Sequence, residues 1–179
     1  NHLIGFNNGI FDLETFEFRE GRQEDYISMS VGYNYQDKHT DKYNDLSKFL
    51  EDIQPNKEER EYMLTYLSIG LVGNLLELFT IFTGRGRNGK SKLVDLIELT
   101  FGEYWGTVSS SLFTRKRPDA NSPDPGLLSL SNKRIITSSE PEKKENLNSG
   151  FIKFLTGKDS TILRNCHSNE IIKFKPKFI

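Results

Sequence analysis

The chain has 179 residues, with 24 Lys and Arg against 25 Asp and Glu, and its formal net charge at pH 7 is -1. This balance excludes binding to nucleic acid through overall positive charge, so any such contact must come from a local basic patch. One cysteine, Cys166, excludes an internal disulfide framework and a cysteine-cluster zinc site, and it fits a reducing, intracellular compartment. The 13 Phe and 7 Tyr are sufficient for a core, which argues against a wholly disordered chain.

The N-terminal region, residues 1–43, is predicted to be β-rich. Three short apolar runs are separated by turn signals, and they lie at residues 3–6, 10–13 and 16–18. Strict alternation of apolar residues from Ile27 to Tyr35 predicts a further half-buried strand. The chain begins with Asn1 and shows no basic-then-apolar leader, so we expect it to be a piece of a longer protein.

A helical segment is predicted over residues 44–74. The first helix has one apolar stripe at i, i+3, i+4 and i+7, formed by Leu46, Phe49, Leu50 and Ile53. Pro55 ends this helix, and a second helix is predicted from Lys57 to about Leu71, before Gly73 and Asn74. Its inner face is expected to contain Tyr62, Met63, Tyr66 and Leu67.

A continuous apolar run of strand length follows, from Leu75 to Thr83. Such a run is typical of a parallel strand that is covered on both faces. The wider apolar window, residues 65–83, is interrupted by Gly73-Asn74 and contains Glu77. A buried helix followed by a buried strand therefore explains the window better than a membrane-spanning helix does, and we expect no membrane contact.

Residues 84–91, Gly-Arg-Gly-Arg-Asn-Gly-Lys-Ser, fit the phosphate-binding pattern G-x-x-x-x-G-K-[ST], the Walker A motif or P-loop. The glycines allow backbone N–H groups to approach phosphates, Lys90 offers an ammonium to the β- and γ-phosphates, and the Ser91 hydroxyl completes a Mg²⁺ shell. A helix predicted from Lys90 to Phe101, closed by Gly102, adds its positive end. The expected cofactors are ATP and Mg²⁺. The expected nucleotide-binding residues are Gly84, Arg85, Gly86, Arg87, Asn88, Gly89, Lys90, Ser91 and Lys92.

A loop, a short strand, a helix and a hairpin are predicted downstream. They lie at residues 114–126, 134–137, 151–155 and 161–174. Glu140 follows the predicted strand, and its carboxylate could orient an attacking water or hold Mg²⁺ through water, which makes it a catalytic candidate together with Lys90. Glu142 is a second candidate for the carboxylate.

Several segments follow one another in the order and spacing of one known family. They are residues 84–91, 127–134, Glu140, 152–159 with Arg164, and 174–176. On these segments the chain resembles superfamily 3 helicases of the viral, phage and plasmid primase–helicase type. The likeness covers nearly the whole chain, and the sequence Asn-Gly-Ile-Phe-Asp-Leu at residues 8–13 looks like the opening of the domain that precedes the helicase core in that family.

The resemblance implies an α/β fold, with a P-loop NTPase core of the AAA+ type over residues 75–179 preceded by the small β-rich and helical N-terminal region. It also implies a ring, usually a hexamer, that hydrolyses ATP to move along DNA. Glu140 would be the Walker B acid, although the paired acids common in the superfamily are not adjacent here. The sensor-1 asparagine and the arginine finger of the family would lie beyond Ile179, so we expect an incomplete core that is inactive as a helicase by itself.

Basic residues give the C-terminal stretch a local positive charge. The resemblance places there a hairpin that grips DNA inside the ring, with its tip near residues 166–169. The candidate DNA contacts are Lys153, Arg164, His167 and Lys173. A solvated basic surface is the alternative, and for the basic run at residues 115–117 a solvated loop is the favoured interpretation.

The predicted function is that of an ATP-dependent DNA helicase, the ATPase part of a replicative primase–helicase. It would act in the cytoplasm of a bacterial host or at a viral replication site. A P-loop kinase or other small-molecule phosphotransferase is a rival, which would need an arginine-bearing lid and an acceptor pocket that the sequence does not clearly show. A DNA-loading module that does not hydrolyse ATP is a third hypothesis.

Overall fold

A computed structural model describes residues 2–37, 42–73, 76–119 and 122–179. The chain forms two compact units, one comprising Asn1–Val72 with Ile81–Glu103 and the other comprising Gly73–Thr80 with Tyr104–Ile179. The described residues contain helices together with small sheets of two or three strands. The mixed α/β composition predicted from the sequence is therefore confirmed.

The first unit opens with an antiparallel sheet of three strands. These are β1 (Leu3–Phe6), β2 (Gly9–Asp12) and β3 (Glu17–Arg19). Phe6 of β1 lies opposite Gly9 of β2, and Phe11 of β2 lies opposite Phe18 of β3. The three predicted apolar runs are confirmed as strands within one residue of their predicted positions.

The strand predicted over residues 27–35 is wrong, because the segment is extended but is not a regular strand. It runs beside β1, and two of its backbone hydrogen bonds hold it there. These are Val31 N–H to Gly5 O at 2.9 Å and Asn7 N–H to Tyr33 O at 3.0 Å. Gly32 lies between the two bonds with φ 86°, a left-handed conformation that bends the backbone and interrupts the ladder.

The helices of the first unit agree with the predicted ones. They are α1 (Tyr43–Ile53), α2 (Lys57–Val72) and α3 (Lys90–Phe101). On α2, Tyr66 and Gly70 are buried, whereas Tyr62, which we predicted on the inner face, is 67% exposed. Burial begins one turn later than predicted because the N-terminal half of α2 lies outside the core. Asn74, predicted to help end this helix, lies outside the described residues.

The second unit contains a parallel pair, β4 (Trp105–Val108) with β5 (Ile135–Ser138). Ile179 is also bonded to β5, since Ile136 N–H donates to Ile179 O at 2.9 Å and Ile179 N–H donates to Arg134 O at 3.0 Å. The short strand predicted near residues 134–137 is thus confirmed.

An antiparallel hairpin is formed by β6 (Thr161–Leu163) and β7 (Ile172–Phe174), as predicted. The helices of this unit are α4 (Ser111–Thr114), α5 (Pro125–Leu128) and α6 (Ser149–Thr156). Helix α6 confirms the predicted one and supplies Phe151, Phe154 and Leu155 to the core. The other buried members of this core are Leu112, Leu127, Leu130, Leu163, Phe174 and Phe178.

The buried parallel strand predicted from Leu75 to Thr83 is wrong for the residues that the structure describes, since 76–83 contain no strand. Their large apolar side chains are exposed, from 37% for Leu76 to 63% for Ile81. A buried strand needs hydrogen-bonding neighbours and covering layers, and within the described ranges no strand pairs with this segment. Leu75 lies outside those ranges. The described parallel sheet is accordingly the β4–β5 pair.

Candidate functional site

The loop formed by residues 84–91 lies in the first unit and leads directly into α3. Gly89 is the N-cap of this helix, with φ 86°, and its carbonyl accepts a hydrogen bond from Leu93 N–H at 2.9 Å. Arg87 also has a positive φ, 62°. Two left-handed residues close together turn the chain sharply, so that α3 begins at Lys90.

The ammonium of Lys90 is held by the loop itself. Its Nζ donates to Gly84 O at 3.0 Å, to Arg85 O at 3.2 Å and to Asn88 Oδ1 at 2.9 Å. A lysine has three donors, and each has an acceptor here. The Lys90 side chain therefore folds back over the loop and links Gly84 and Arg85, at the start of the turn, to Asn88 near its end.

Backbone donors are available at the start of α3. Within the described residues, the N–H groups of Asn88, Gly89, Lys90 and Ser91 donate to no other group of the chain. The first N–H groups of a helix have no partner inside the helix and carry its partial positive charge. Ser91 is exposed, as is Lys92, whose Nζ is paired with Asp95 Oδ2 at 2.9 Å. Together these groups form a concentrated set of donors suited to an anion.

Glu140 lies in the second unit, two residues after the end of β5. It follows the carboxyl end of a parallel strand, which is the end where α/β proteins place ligand-binding groups. Its side chain is exposed. Glu142, the other candidate, is part of a turn in which Glu145 N–H donates to Glu142 O at 2.8 Å and Glu142 N–H donates to Glu145 Oε2 at 3.2 Å. Both bonds involve the backbone of Glu142, so the carboxylates of Glu140 and Glu142 are both exposed, and Glu140 is the one nearer to the end of β5.

The candidate DNA contacts occupy different parts of the second unit. Arg164 directly follows β6, and its guanidinium donates to Ser168 O at 3.5 Å across the turn. His167 is exposed at this turn with φ 57°, and Lys173 is exposed in the middle of β7. Lys153 is exposed on α6. The structure thus brings Arg164 and His167 together at the hairpin turn, whereas Lys173 lies along a strand and Lys153 on a helix.

The basic run at residues 115–117 is exposed and lies outside the helices and strands, as favoured for a solvated loop, but two of its arginines also contact aromatic rings of α6. The Arg117 guanidinium lies 4.0 Å from the ring centre of Phe154, and that of Arg115 lies 5.5 Å from the ring centre of Phe151. Arg115 also pairs with the buried Asp124, with Nη2 at 2.5 Å from Oδ2. Sequence reasoning missed this packing because the arginines and α6 are about 35 residues apart in the chain.

The described ranges contain no group of three or more His, Cys, Asp or Glu side chains that could hold a metal ion. No helix in these ranges is long and apolar enough to span a membrane.

Comparison with known proteins identifies the class. A family described as "D5 N terminal like" matches residues 1–55. The chain is 41% identical, over 99% of its length, to "Putative helicase L207/L206" of Acanthamoeba polyphaga mimivirus. It is 34% identical, over 91% of its length, to "Putative helicase 121R" of Invertebrate iridescent virus 3. It is also 26% identical, over 94% of its length, to "Putative primase C962R" of African swine fever virus, isolate Warthog/Namibia/Wart80/1980.

These relatives are viral and are named as helicases or primases. The chain is thus similar, over nearly its whole length, to proteins of a viral primase–helicase family, which confirms the resemblance drawn from its motifs. It covers 19% of the mimivirus protein and 18% of each of the other two, so it spans about a fifth of the length of these relatives.

Proposed function

We propose that this chain contains the ATP-binding loop of a viral replicative DNA helicase, and that the whole protein couples ATP hydrolysis to movement along DNA and strand separation. The observation that carries the proposal is the loop at residues 84–91. It combines unbonded backbone donors, a lysine ammonium and the start of a helix in one turn. The relatives named as helicases and primases favour this function over a small-molecule kinase or a DNA-loading module.

The residues of the loop fit a nucleoside triphosphate with Mg²⁺. The N–H groups of residues 88–91 suit phosphate oxygens. The Lys90 ammonium would exchange its acceptors in the loop for the β- and γ-phosphates. The Ser91 hydroxyl is an exposed oxygen of the kind that Mg²⁺ binds. We assign the remaining positions of the loop, from Gly84 to Asn88, and the neighbouring Lys92 to the surroundings of the phosphates.

Each further residue has a separate role in the proposal. ATP with Mg²⁺ supplies the phosphoryl group whose transfer to water drives the movement. The Glu140 carboxylate orients the attacking water. Positive side chains at and near the hairpin, namely Lys153, Arg164, His167 and Lys173, neutralise DNA phosphates. Several copies of the whole protein, most simply six, form a ring that surrounds the DNA.

Substitution of Lys90 tests the nucleotide-binding part of this proposal. Lys90→Ala should weaken binding of a fluorescent ATP analogue at least about tenfold, because a charge-assisted contact with phosphate is worth more than a neutral hydrogen bond. The unfolding free energy should fall by only about 1 kcal/mol, because the three hydrogen bonds that Lys90 makes within the loop are exposed to water. Titration with Mg²⁺ present gives the affinity, and chemical denaturation gives the stability.

Lys57→Ala is the matched control, since Lys57 is an exposed lysine on α2 that is paired with Glu61 and lies outside the loop. It should bind the analogue as the unmodified chain does. If Lys90→Ala binds the ATP analogue with unchanged affinity, residues 84–91 are not a nucleotide-binding loop. In the whole protein, stimulation of ATP turnover by DNA, and not by a small acceptor molecule, separates a helicase from a kinase.

A further inference from the structure

Helix α3 is bonded at its C-terminal end to the region that matches the D5 N terminal like family. Tyr33 OH donates to Thr100 O at 2.9 Å. Ser30 N–H donates to Glu103 Oε2 at 2.6 Å, and Glu103 N–H donates to Ser30 O at 3.1 Å. A side chain at Gly102 would overlap the carbonyl of Val31, so the backbones are in close contact there. The N-terminal region thus fixes one end of the helix.

The same region also contacts the other end of α3. Gly89, the N-cap, faces Ile53, the last residue of α1. A Cβ built on Gly89 would overlap Cγ2 of Ile53, and the next nearest atom would be Cβ of Ile53 at 3.4 Å. Gly89 and Ile53 are both partly buried. A single methyl group of α1 therefore rests on the backbone at the point where the loop becomes a helix.

We propose that Ile53 is a positioning residue for the loop at residues 84–91, acting through the contact of its Cγ2 methyl with Gly89. The proposal rests on the proposed function for its nucleotide-binding consequence. The contact fixes the backbone of Gly89 and hence the direction in which the N–H groups of Lys90 and Ser91 point. In this way a residue of the N-terminal region, 37 positions upstream of Lys90, sets the geometry of the phosphate-binding turn.

The branched side chain of Ile53 suits this role. A β-branched residue near a helix end has few χ1 conformations, so its Cγ2 stays in one place. Leu50 belongs to the same apolar stripe of α1 and is also partly buried, but it is not among the atoms nearest to Gly89. A substitution at Leu50 therefore tests the packing of α1 alone, whereas a substitution at Ile53 also tests the contact with the loop.

Two substitutions at position 53 distinguish the effect of side-chain branching on the loop from the effect of side-chain volume. Ile53→Val is the smaller side chain but keeps Cβ and Cγ2, the two atoms nearest to Gly89. Ile53→Leu conserves the volume but moves the branch outward and removes Cγ2. If apolar volume positions the loop, Ile53→Val should loosen the loop more than Ile53→Leu does. If the Cγ2 contact positions the loop, Ile53→Leu should loosen it more. Leu50→Met serves as a further volume-conserving control on α1.

Hydrogen exchange of the chain without nucleotide measures how firmly the backbone is held where the loop becomes α3. The amide of Leu93, which donates to Gly89 O at 2.9 Å, should exchange roughly threefold to tenfold faster in Ile53→Leu than in Ile53→Val, whose exchange should match the unmodified chain. Amides of Ile97 and Phe101, buried on the same helix, serve as the internal reference for general destabilisation. Equal exchange in the two variants, or faster exchange in Ile53→Val, overturns the proposal.

Titration with the fluorescent ATP analogue and Mg²⁺ then tests the consequence. Ile53→Leu should bind several times more weakly than Ile53→Val. If Ile53→Leu loosens the loop while the unmodified chain binds the analogue no better than Lys90→Ala does, the proposed function fails and the positioning role of Ile53 stands. If the loop loosens and affinity is equal in the two variants of a chain that binds ATP, the role of Ile53 in nucleotide binding is refuted.

Discussion

Asparagine side chains add to the backbone pairing of the extended segment after β3. Asn8 Oδ1 accepts from Tyr35 N–H at 2.8 Å, and Asn8 Nδ2 donates to Tyr35 O at 3.1 Å. Asn7 Nδ2 similarly donates to Gly32 O at 2.8 Å. An amide that both donates to and accepts from one residue reproduces a step of a β-ladder. The turn at residues 7–9 could be predicted from the sequence, whereas this second use of its asparagines needed the folded backbone.

Asp25 gives a pH dependence with a definite sign. Its carboxylate accepts from the Arg19 guanidinium at 2.7 Å and 2.9 Å and from Arg22 N–H at 2.7 Å. The hydrogen bond from Arg19, followed by the one from Arg22, lowers the pKa of Asp25 from 3.8 to about 2. Because the folded-state pKa lies below the unfolded one, the contribution to stability is complete above about pH 4 and is lost as the pH falls towards 2.

The unmodified chain should therefore melt at a higher temperature than Asp25→Asn at pH 5 to 7, and the difference should shrink towards zero between pH 4 and pH 2. Thermal melts across this range measure the effect. Glu20→Gln removes a nearby carboxylate but leaves the pair of Asp25 with Arg19 in place, so it serves as the neighbouring control. A pH-independent gap for Asp25→Asn would show that the pair with Arg19 does not stabilise the fold.

The two carboxylates after β5 can be separated by a matched pair of substitutions. In the whole protein, Glu140→Gln should retain ATP binding and lose ATP turnover by roughly a hundredfold or more, as expected when the group that orients water is neutralised. Glu142→Gln should leave turnover close to its original value, because Glu142 lies two residues further from the end of β5 than Glu140 does. Steady-state phosphate release measures both. The opposite pattern would transfer the catalytic role to Glu142.

Secondary elements with local signals could be predicted from the sequence, and those that depend on distant neighbours could not. Helices α1, α2 and α3 have apolar periodicity and clear stop signals, and their bounds agree with the structure within a few residues. The apolar run at residues 76–83 has the composition of a buried strand, but composition supplies no pairing partner. For the same reason the packing of Arg117 on Phe154 could not be foreseen.

The hairpin formed by β6 and β7 gives a prediction at the scale of one element. The double variant His167→Ala and Lys173→Ala should weaken binding to single-stranded DNA, with a smaller slope of affinity against salt concentration, because a phosphate contact is lost. ATP affinity should be unchanged. The exposed lysines Lys48 and Lys57, changed together to alanine, control for a loss of positive charge elsewhere. Identical DNA affinity and salt slope in both double variants would identify the hairpin as a solvated surface.

At the scale of the whole molecule, the chain divides into two compact units, with residues 84–91 in one and Glu140 in the other. We expect the 179-residue chain to bind ATP with turnover near background, and to separate no DNA strands. It spans about a fifth of its relatives, and an arginine supplied to a P-loop site from a neighbour can change turnover by a factor of about 10³ to 10⁵.

Phosphate release and a strand-displacement assay check this expectation, with a protein of the full length of the relatives as the positive control. Only the longer protein should unwind DNA. Unwinding by the 179 residues alone would mean that all catalytic parts lie within them, and that the family motifs have been matched to the wrong positions.

The three hydrogen bonds of the Lys90 ammonium have one more consequence, which concerns affinity. If the loop binds a nucleotide as we propose, the phosphates would have to displace Gly84 O, Arg85 O and Asn88 Oδ1 from the Lys90 ammonium, so the loop would compete with its own ligand. The observed dissociation constant is then the intrinsic one divided by the fraction of molecules whose lysine is released. Release of such a nucleotide would return the three acceptors to the Lys90 ammonium, and the proposed site would therefore favour rapid release over tight retention.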